Sequence, residues 1–280
     1  MILKNYANLD FDGAVQQTHF RSGSSNVEQA LVLLHPSPLS SAFMAPLIDL
    51  FSDRARVLAP DTPGYGNSDP LPEPPQDLSG YVDWLRRFLE SQGLASAGIY
   101  GSATGAQIAI QFARSHPEMT DFVVLENAVH FEDEDRQRIL ADYFPDMTPQ
   151  ANGSHLNLAW EMSTQLFRRF PWFDGSDAAK VSDLDPPVAL VHGTAMSYLG
   201  AGVDYARAYR AAFENEDGRN LQAITRPTRV VRWKGSILRR YADRLDRFEW
   251  PSNIRMAHCE SSVEARYECL TNIIAEMTGK

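Results

Sequence analysis

Cysteine is scarce in this 280-residue sequence, which contains only Cys259 and Cys269. Two cysteines cannot build a disulfide framework or a zinc cluster, so we expect both to be reduced thiols. No stretch has the roughly 18 consecutive apolar residues that a membrane-spanning helix needs. The first residues, MILKNYANLDFDGAV, interrupt their apolar run with lysine, asparagine and aspartate, so no signal peptide is expected. The sequence therefore predicts a cytoplasmic protein without a membrane partner.

Positive charge is also in short supply, with 26 Lys and Arg against 36 Asp and Glu, for a net charge of −10. An acidic surface repels phosphate groups, which argues against nucleic acid and anionic membranes as partners. No His, Cys or carboxylate cluster has metal-ligand spacing, and no phosphate-cradling glycine loop follows a first strand. We therefore expect no metal and no organic cofactor. The expected partner is a small-molecule substrate, and the sequence does not decide between a monomer and a homodimer.

Short apolar runs alternate with helical patterns in the first 129 residues. Alternation at 14–21 indicates a strand of an antiparallel start to the sheet. Unbroken apolar runs at 30–35, 55–61, 97–101 and 121–127 indicate strands buried on both faces, and helical spacing appears at 40–51, 78–92 and 105–114. Strand pattern returns at 227–233 and 253–258, before a last helix at 263–277. The pattern predicts an α/β fold with a mostly parallel sheet.

The middle of the chain has a different character. Residues 130–222 carry few strand signals and many aromatic residues, which predicts a helical cap inserted into a core made of 1–129 and 223–280. One segment, PPVALVHGT at 186–194, is compatible with either a strand or a helix. We favour a helix, because the apolar pattern continues through Tyr198, Tyr205 and Tyr209.

Three segments, taken in order, resemble the α/β-hydrolase superfamily. LVLLHPSPLSS (31–41) is similar to the family's strand followed by an HG loop, and APDTPGYGNSD (59–69) to its D-x-x-G-x-G-x-S loop. YGSATGAQIAIQFA (100–113) is similar to its nucleophile elbow, G-x-S-x-G. The resemblance implies the α/β-hydrolase fold, a mostly parallel eight-stranded sheet flanked by helices, here with a helical cap insertion.

The elbow departs from the family pattern at its most important residue. Gly101 and Gly105 supply the small residues that a sharp turn from strand to helix needs. The apex, where the family has its nucleophile, is Ala103. A methyl group cannot attack a carbonyl, and the hydroxyls of Ser102 and Thr104 are expected to point away from the cleft. The covalent serine mechanism is therefore closed to this chain.

The resemblance also implies an oxyanion hole made of two backbone N–H groups. The family takes one from the residue after the nucleophile and one from the loop after the third strand, which correspond to Thr104 and Ser37. Pro36 replaces the usual glycine of that loop and has no N–H. Ser37, one residue later, keeps its donor, so the hole is expected to survive.

The catalytic histidine and its acid are less well matched. His258 ends the last predicted strand, at the position of the family's histidine, and is expected above the elbow as a general acid or base. The acid's usual place after the seventh strand holds Leu238, in the turn that starts at Gly235, and the alternative turn from Gly193 also lacks an acid. Glu126, at the end of the preceding strand, is the candidate that could orient the His258 imidazole.

Further residues are expected to line the substrate cleft. His35 and Ser102 belong to the two family motifs near the elbow. The others come from the predicted cap, whose concentration of large apolar side chains suggests walls over the cleft. They are His130, His155, Trp160, Phe167 and Trp172.

These features support several functions. The leading hypothesis is an enzyme that acts on a small, largely apolar organic substrate by non-covalent acid/base and oxyanion-hole chemistry, as a lyase, isomerase, cyclase or water-mediated hydrolase. The alternatives are an esterase or C–C hydrolase inactivated at position 103, and a catalytically silent ligand-binding protein. Loss of both nucleophile and acid favours natural divergence over an engineered Ala103. Similar sequences with G-x-H-T-G elbows also make histidine a candidate ancestral residue there.

Overall fold

The computed structural model describes residues 1–25 and 27–279, in which eight strands form one sheet. The strands are β1 (Ile2–Phe11), β2 (Ala14–Gly23), β3 (Ala30–Leu34), β4 (Arg56–Pro60), β5 (Ala97–Ser102), β6 (Thr120–Glu126), β7 (Thr228–Trp233) and β8 (Ile254–Cys259). Their order is β1-β2-β4-β3-β5-β6-β7-β8. The pairs β1–β2 and β2–β4 are antiparallel and the others parallel, as the sequence predicted.

Helices cover both faces of this sheet. The helices are α1 (Ala45–Phe51), α2 (Ser79–Ser91), α3 (Thr104–Ser115), α4 (Asp133–Asp142), α5 (Ser154–Leu166), α6 (Val188–Ala201), α7 (Arg207–Asn215), α8 (Gly218–Gln222), α9 (Arg239–Ala242) and α10 (Val263–Thr278). Short 3₁₀ turns occupy Pro117–Met119, Asp177–Ala179, Gly202–Asp204 and Asp243–Arg247. Strand β3 shows why two layers are needed, because Val32 and Leu34 pack with α2 and α3 while Leu31 and Leu33 pack with α1 and α10.

The segment between β6 and β7, residues 127–227, is here called the insertion. It carries α4 to α8 and contributes no strand to the sheet within the described residues. The ambiguous segment at 186–194 is helical, since α6 begins at Val188, which confirms the favoured interpretation. None of the helices in residues 1–25 and 27–279 is both long and apolar enough to cross a membrane.

One prediction about the C-terminal region is wrong. Cys259 of β8 and Cys269 of α10 form a disulfide, with 6.1 Å between their Cα atoms, instead of remaining reduced. The chain turns after β8, and α10 returns along it, so that two residues ten positions apart meet at an ordinary disulfide separation.

Candidate functional site

The elbow between β5 and α3 has the geometry that the motif predicts. Ala103 lies at the apex with φ 50° and ψ −112°, a conformation that costs a non-glycine residue roughly 1–3 kcal/mol. Its N–H donates to the Glu126 carbonyl oxygen at 3.0 Å. A Cβ at Gly105 would come within 3.0 Å of the Leu34 carbonyl, and one at Gly101 would come equally close to the Gly105 carbonyl. The two glycines therefore permit helix and strands to touch.

Two backbone N–H groups next to the apex are free. Neither Thr104 N–H nor Ser37 N–H has a hydrogen-bond acceptor among the described residues. The close approach of Gly105 to Leu34 sets the start of α3 beside the end of β3, from which the loop of Ser37 continues. The hydroxyl of Thr104 is also buried and has no partner in this part of the structure. The two N–H donors that the resemblance assigns to an oxyanion hole are thus not hydrogen-bonded to other described residues.

His35 holds this loop in place. Its Nε2 accepts from the Thr62 N–H at 2.9 Å, so the proton belongs on Nδ1, which donates to the Pro36 carbonyl at 3.0 Å. Burial lowers the pKa of His35, which keeps the ring neutral. Both ring nitrogens are thus bonded to backbone, which gives His35 a structural role, and its contact with substrate stays a prediction. Its ring also packs edge-on against Tyr65.

The apex faces an apolar region. Ala103 is partly accessible and packs against a cluster, here called the aromatic cluster, of residues from the insertion and from the segment after β7. Its buried members are Val129, Phe131, Ile139, Tyr143, Leu166, Phe170, Tyr209, Phe213, Leu238, Tyr241 and Ala242. Trp172 packs against the same cluster and donates to the Tyr143 carbonyl at 3.0 Å. The insertion therefore covers the C-terminal end of β5, where Ala103 lies.

Two other predicted aromatic lining residues lie elsewhere. The Trp160 side chain lies on α5 and is 44% exposed. Phe167, which follows α5, is half-buried and does not belong to the aromatic cluster. Neither residue is part of the cluster that packs against Ala103, and their contact with substrate stays a prediction.

A chain of polar side chains runs along the C-terminal ends of β5, β6 and β7. Asn127 Nδ2 donates to Ser102 Oγ at 3.1 Å, and Ser236 Oγ donates to Asn127 Oδ1 at 2.6 Å. The Leu238 N–H donates in turn to Ser236 Oγ at 3.0 Å. Ser102 is thus bonded into a side-chain network rather than turned into the cleft. Asn127 and Ser236 were not singled out from the sequence, although they occupy strand ends.

The Glu126 carboxylate is fully engaged by other groups. Arg266 of α10 donates to it through Nε at 2.5 Å and through an Nη at 2.7 Å. The Tyr100 hydroxyl donates to the same carboxylate. These partners lie on the α10 face of the sheet. The predicted hydrogen bond between Glu126 and His258 is therefore wrong.

His258 is an exposed residue of the edge strand β8. It lies in register with Arg232 and shares with it a cleft of about 340 Å³ at the β7–β8 edge. The Arg232 guanidinium binds Asp246 at 2.6 Å and Asp243 at 2.8 Å. Three strand spacings, about 14 Å, separate β8 from β5. Because β8 continues past His258 to Cys259, the ring stands on the sheet instead of on a loop above the elbow.

The other two histidines named from the sequence have structural partners. His130 Nδ1 accepts from the Gly218 N–H at 3.3 Å, and the ring lies beside Asp217 and Phe248. His155 Nδ1 accepts from the Gln150 N–H at 3.0 Å, at the start of α5. Both rings hold segments of the insertion together, so the structure supports no substrate contact for either.

Five buried tyrosines, from the loop after β4 and from the insertion, were not identified as functional from the sequence. They are Tyr65, Tyr143, Tyr198, Tyr205 and Tyr209, here called the tyrosine cluster. Tyr198, Tyr205 and Tyr209 follow one another at intervals of seven and four residues, a spacing typical of one helical face, although in the structure Tyr205 lies between α6 and α7. That spacing was the available signal, although it indicates burial as readily as function. Within the described residues, no group of three His, Cys, Asp or Glu side chains is arranged to hold a metal ion.

Comparisons with known proteins agree with this architecture. A model of the family described as "Alpha/beta hydrolase family" matches residues 31–262. A 2-hydroxy-6-oxononadienedioate/2-hydroxy-6-oxononatrienedioate hydrolase of Burkholderia vietnamiensis is 33% identical over 127 residues, 43% of each chain. A haloalkane dehalogenase of Mycolicibacterium paratuberculosis is 32% identical over 100 residues, 35% of this chain and 33% of the other. The match thus spans less than half the length of these curated relatives.

Solved structures are similar over nearly the whole chain. Epoxide hydrolase A from Mycobacterium thermoresistibile has a TM-score of 0.72 at 14% identity, covering 99% of this chain and 98% of the other. The enol-lactonase from Burkholderia xenovorans has a TM-score of 0.69 at 17% identity, covering 99% and 100%. At such identities the similarity shows a shared fold and nothing about substrate.

Proposed function

Because this chain belongs to the alpha/beta hydrolase family, we propose that it is an enzyme that stabilises a developing oxyanion on a small, largely apolar carbonyl substrate without covalent catalysis. The observation that carries the proposal is the pair of free N–H groups, from Ser37 and Thr104, beside an apex that has no nucleophile. The named relatives are hydrolases. The proposed chemistry differs from a covalent hydrolase because Ala103 cannot form an acyl intermediate.

Electrostatic stabilisation can work without a nucleophile. Preorganised N–H donors act on charge that develops in the transition state, and each is worth about 10²–10³ in rate in known oxyanion holes. The aromatic cluster around Ala103 excludes water from one side of the apex, which strengthens such donors. An enolate oxygen is an oxyanion of this kind. The proposal therefore covers isomerisation, cyclisation and elimination through enolates, with water taking the proton.

A second function, a ligand receptor without turnover, is favoured by one specific observation. The carboxylate expected as the acid, that of Glu126, is bound by Arg266. The imidazole expected as the base, that of His258, lies on the edge strand β8, away from the elbow. A site with donors and no base binds a carbonyl oxygen but does not itself remove a proton. Turnover by the unaltered chain distinguishes the two functions.

We expect the unaltered protein to accelerate exchange of the methyl protons of acetophenone in D₂O by about a hundredfold over buffer, because one oxyanion-hole donor alone contributes that much. Proton NMR measures the rate. The His258→Ala variant should exchange at a rate within threefold of the unaltered chain, since three strand spacings separate its ring from the elbow. A hundredfold loss in His258→Ala would restore the general-base role predicted from the sequence. Saturable binding with no exchange would support the receptor.

The Ala103→Ser variant tests whether this site is an ordinary serine hydrolase that has merely lost its nucleophile. We expect no labelling by a fluorophosphonate probe, because a serine at the apex would have no base within the roughly 2.6–3.2 Å that proton transfer needs. Mass spectrometry of the intact protein measures labelling. The double variant Ser102→Ala/Ala103→Ser is the control that assigns any label to position 103. Stoichiometric labelling of both variants would favour the inactivated hydrolase instead.

A further inference from the structure

Most hydroxyls of the tyrosine cluster are tied to the protein. The Tyr65 hydroxyl donates to the Tyr205 carbonyl at 2.6 Å, and the Tyr205 hydroxyl donates to the Pro145 carbonyl at 2.8 Å. Tyr143 and Tyr209 share a hydrogen bond at 2.9 Å between their hydroxyls. These bonds fix the rings and leave little freedom in the cluster.

Two hydroxyls next to this network are not satisfied. Tyr198 is 0% exposed and Ser37 is 6% exposed, and neither hydroxyl has a hydrogen-bond partner in the described residues. The Tyr198 hydroxyl faces Tyr209 and lies near Tyr65, and the Ser37 hydroxyl faces Tyr65, but neither contact meets both the distance and the angle of a hydrogen bond. Buried hydroxyls are rarely left unpaired, because removal from water is unfavourable unless a new partner replaces it. A ligand oxygen would supply that partner.

The unpaired hydroxyls are connected with the elbow. Ser37 also carries one of the two free N–H groups beside Ala103. Tyr143 and Tyr209 belong to the aromatic cluster against which Ala103 packs, and Ala103 is still partly accessible. A molecule held by its carbonyl at the elbow would therefore extend toward Tyr198 along the wall formed by these rings.

The chemistry of this wall is neutral. Burial raises the pKa of Tyr209 to about 12 and that of Tyr198 well above its usual value, so both hydroxyls stay protonated. The charged groups near the cluster act on the outer tyrosines: Arg210 and Asp146 on Tyr205, and Arg207 and Asp204 on Tyr81. Protonated phenols are hydrogen-bond donors to neutral or enolic oxygens. Arg210 lies over the Phe144 ring and donates to the Leu140 carbonyl, so its charge is not directed at a hydroxyl of the tyrosine cluster.

We propose that Tyr198 and Ser37 hydroxyls form a second oxygen subsite, and that the substrate is a small apolar molecule with two neutral oxygen functions, such as a β-diketone or a β-keto ester. One oxygen lies at the free N–H groups and the other at the two hydroxyls. The inference rests on the proposed function, because it assumes that the first oxygen binds at the elbow. It adds the class of substrate.

A matched pair of probes tests the second oxygen. Benzoylacetone and butyrophenone share a phenyl ring and a four-carbon chain and differ by one carbonyl oxygen. We expect the unaltered protein at pH 6 to bind benzoylacetone about tenfold more tightly by calorimetry, the ratio that corresponds to one net hydrogen bond. Tyr198→Phe should bring the ratio close to one and leave butyrophenone affinity unchanged. Ser37→Ala should also bring the ratio close to one.

Controls separate this subsite from general packing. Tyr205→Phe removes a hydroxyl that already donates to Pro145, so the ratio should stay near ten. Tyr198→Phe should not lower the melting temperature, because the hydroxyl has no partner to lose. Equal binding of the two ketones, or a ratio unaffected by Tyr198→Phe, would overturn the subsite and leave the proposed function intact. Failure of both ketones to bind would overturn the proposed function and the subsite with it.

Discussion

Replacing Gly105 with alanine is expected to lower the free energy of unfolding by about 3 kcal/mol, the upper part of the range for overpacked sites. The added Cβ would come within 3.0 Å of the carbonyl oxygen and carbon of Leu34. Those atoms are backbone of the buried strand β3 and cannot rotate away. Either α3 moves off the sheet or the elbow distorts. Urea denaturation followed by tryptophan fluorescence measures the change.

Gly193 provides the matched control for this substitution. Gly193 lies within α6, and a Cβ added there would meet no atom within 4 Å. Gly193→Ala should leave stability unchanged or raise it by roughly 0.5–1 kcal/mol, because alanine favours a helix more than glycine does. Equal effects of the two substitutions would show that the close approach at the elbow does not contribute to stability.

The elbow shows how far the sequence predicts this fold. Short apolar runs identified the buried strands because, in a parallel sheet covered on both faces, burial depends on local composition. The spacing of Gly101 and Gly105 identified the turn because only small residues fit there. The first strand was not assigned, although Asp12-Gly13 between alternating residues is the signal of a tight hairpin, with φ of 54° and 98°.

Side-chain partners were predicted less well than elements. Glu126 and His258 both end strands, and the sequence placed them together. In the sheet, side chains alternate between faces, and a carboxylate on the α10 face meets Arg266 instead. The pairing of Cys259 with Cys269 likewise depends on how α10 returns along β8. Such contacts depend on register and packing between distant segments, which no local pattern contains.

Replacing Arg266 with methionine is expected to lower the free energy of unfolding by about 3–5 kcal/mol, the usual cost of breaking a buried ion pair from one side. Glu126 is 1% exposed, and in the variant its carboxylate would keep only the hydrogen bond from the Tyr100 hydroxyl. Its charge would be left uncompensated, because both hydrogen bonds from the guanidinium would be lost. Methionine preserves most of the length and apolar contact of the arginine stem. Urea denaturation at pH 7 measures the loss.

The control is Arg255→Met, which replaces an arginine of β8, the strand that precedes α10. Arg255 is 68% exposed and lies 4.0 Å from Glu276, so its loss should cost less than about 1 kcal/mol. The double variant Arg266→Met/Glu126→Gln should recover part of the stability lost in Arg266→Met, because it removes the unpaired charge. These outcomes would establish Glu126 as a structural anion that fastens α10 to the sheet. If Arg266→Met were as stable as the unaltered chain and Glu126→Gln stopped acetophenone exchange, Glu126 would instead have the catalytic role that its position in the sequence suggested.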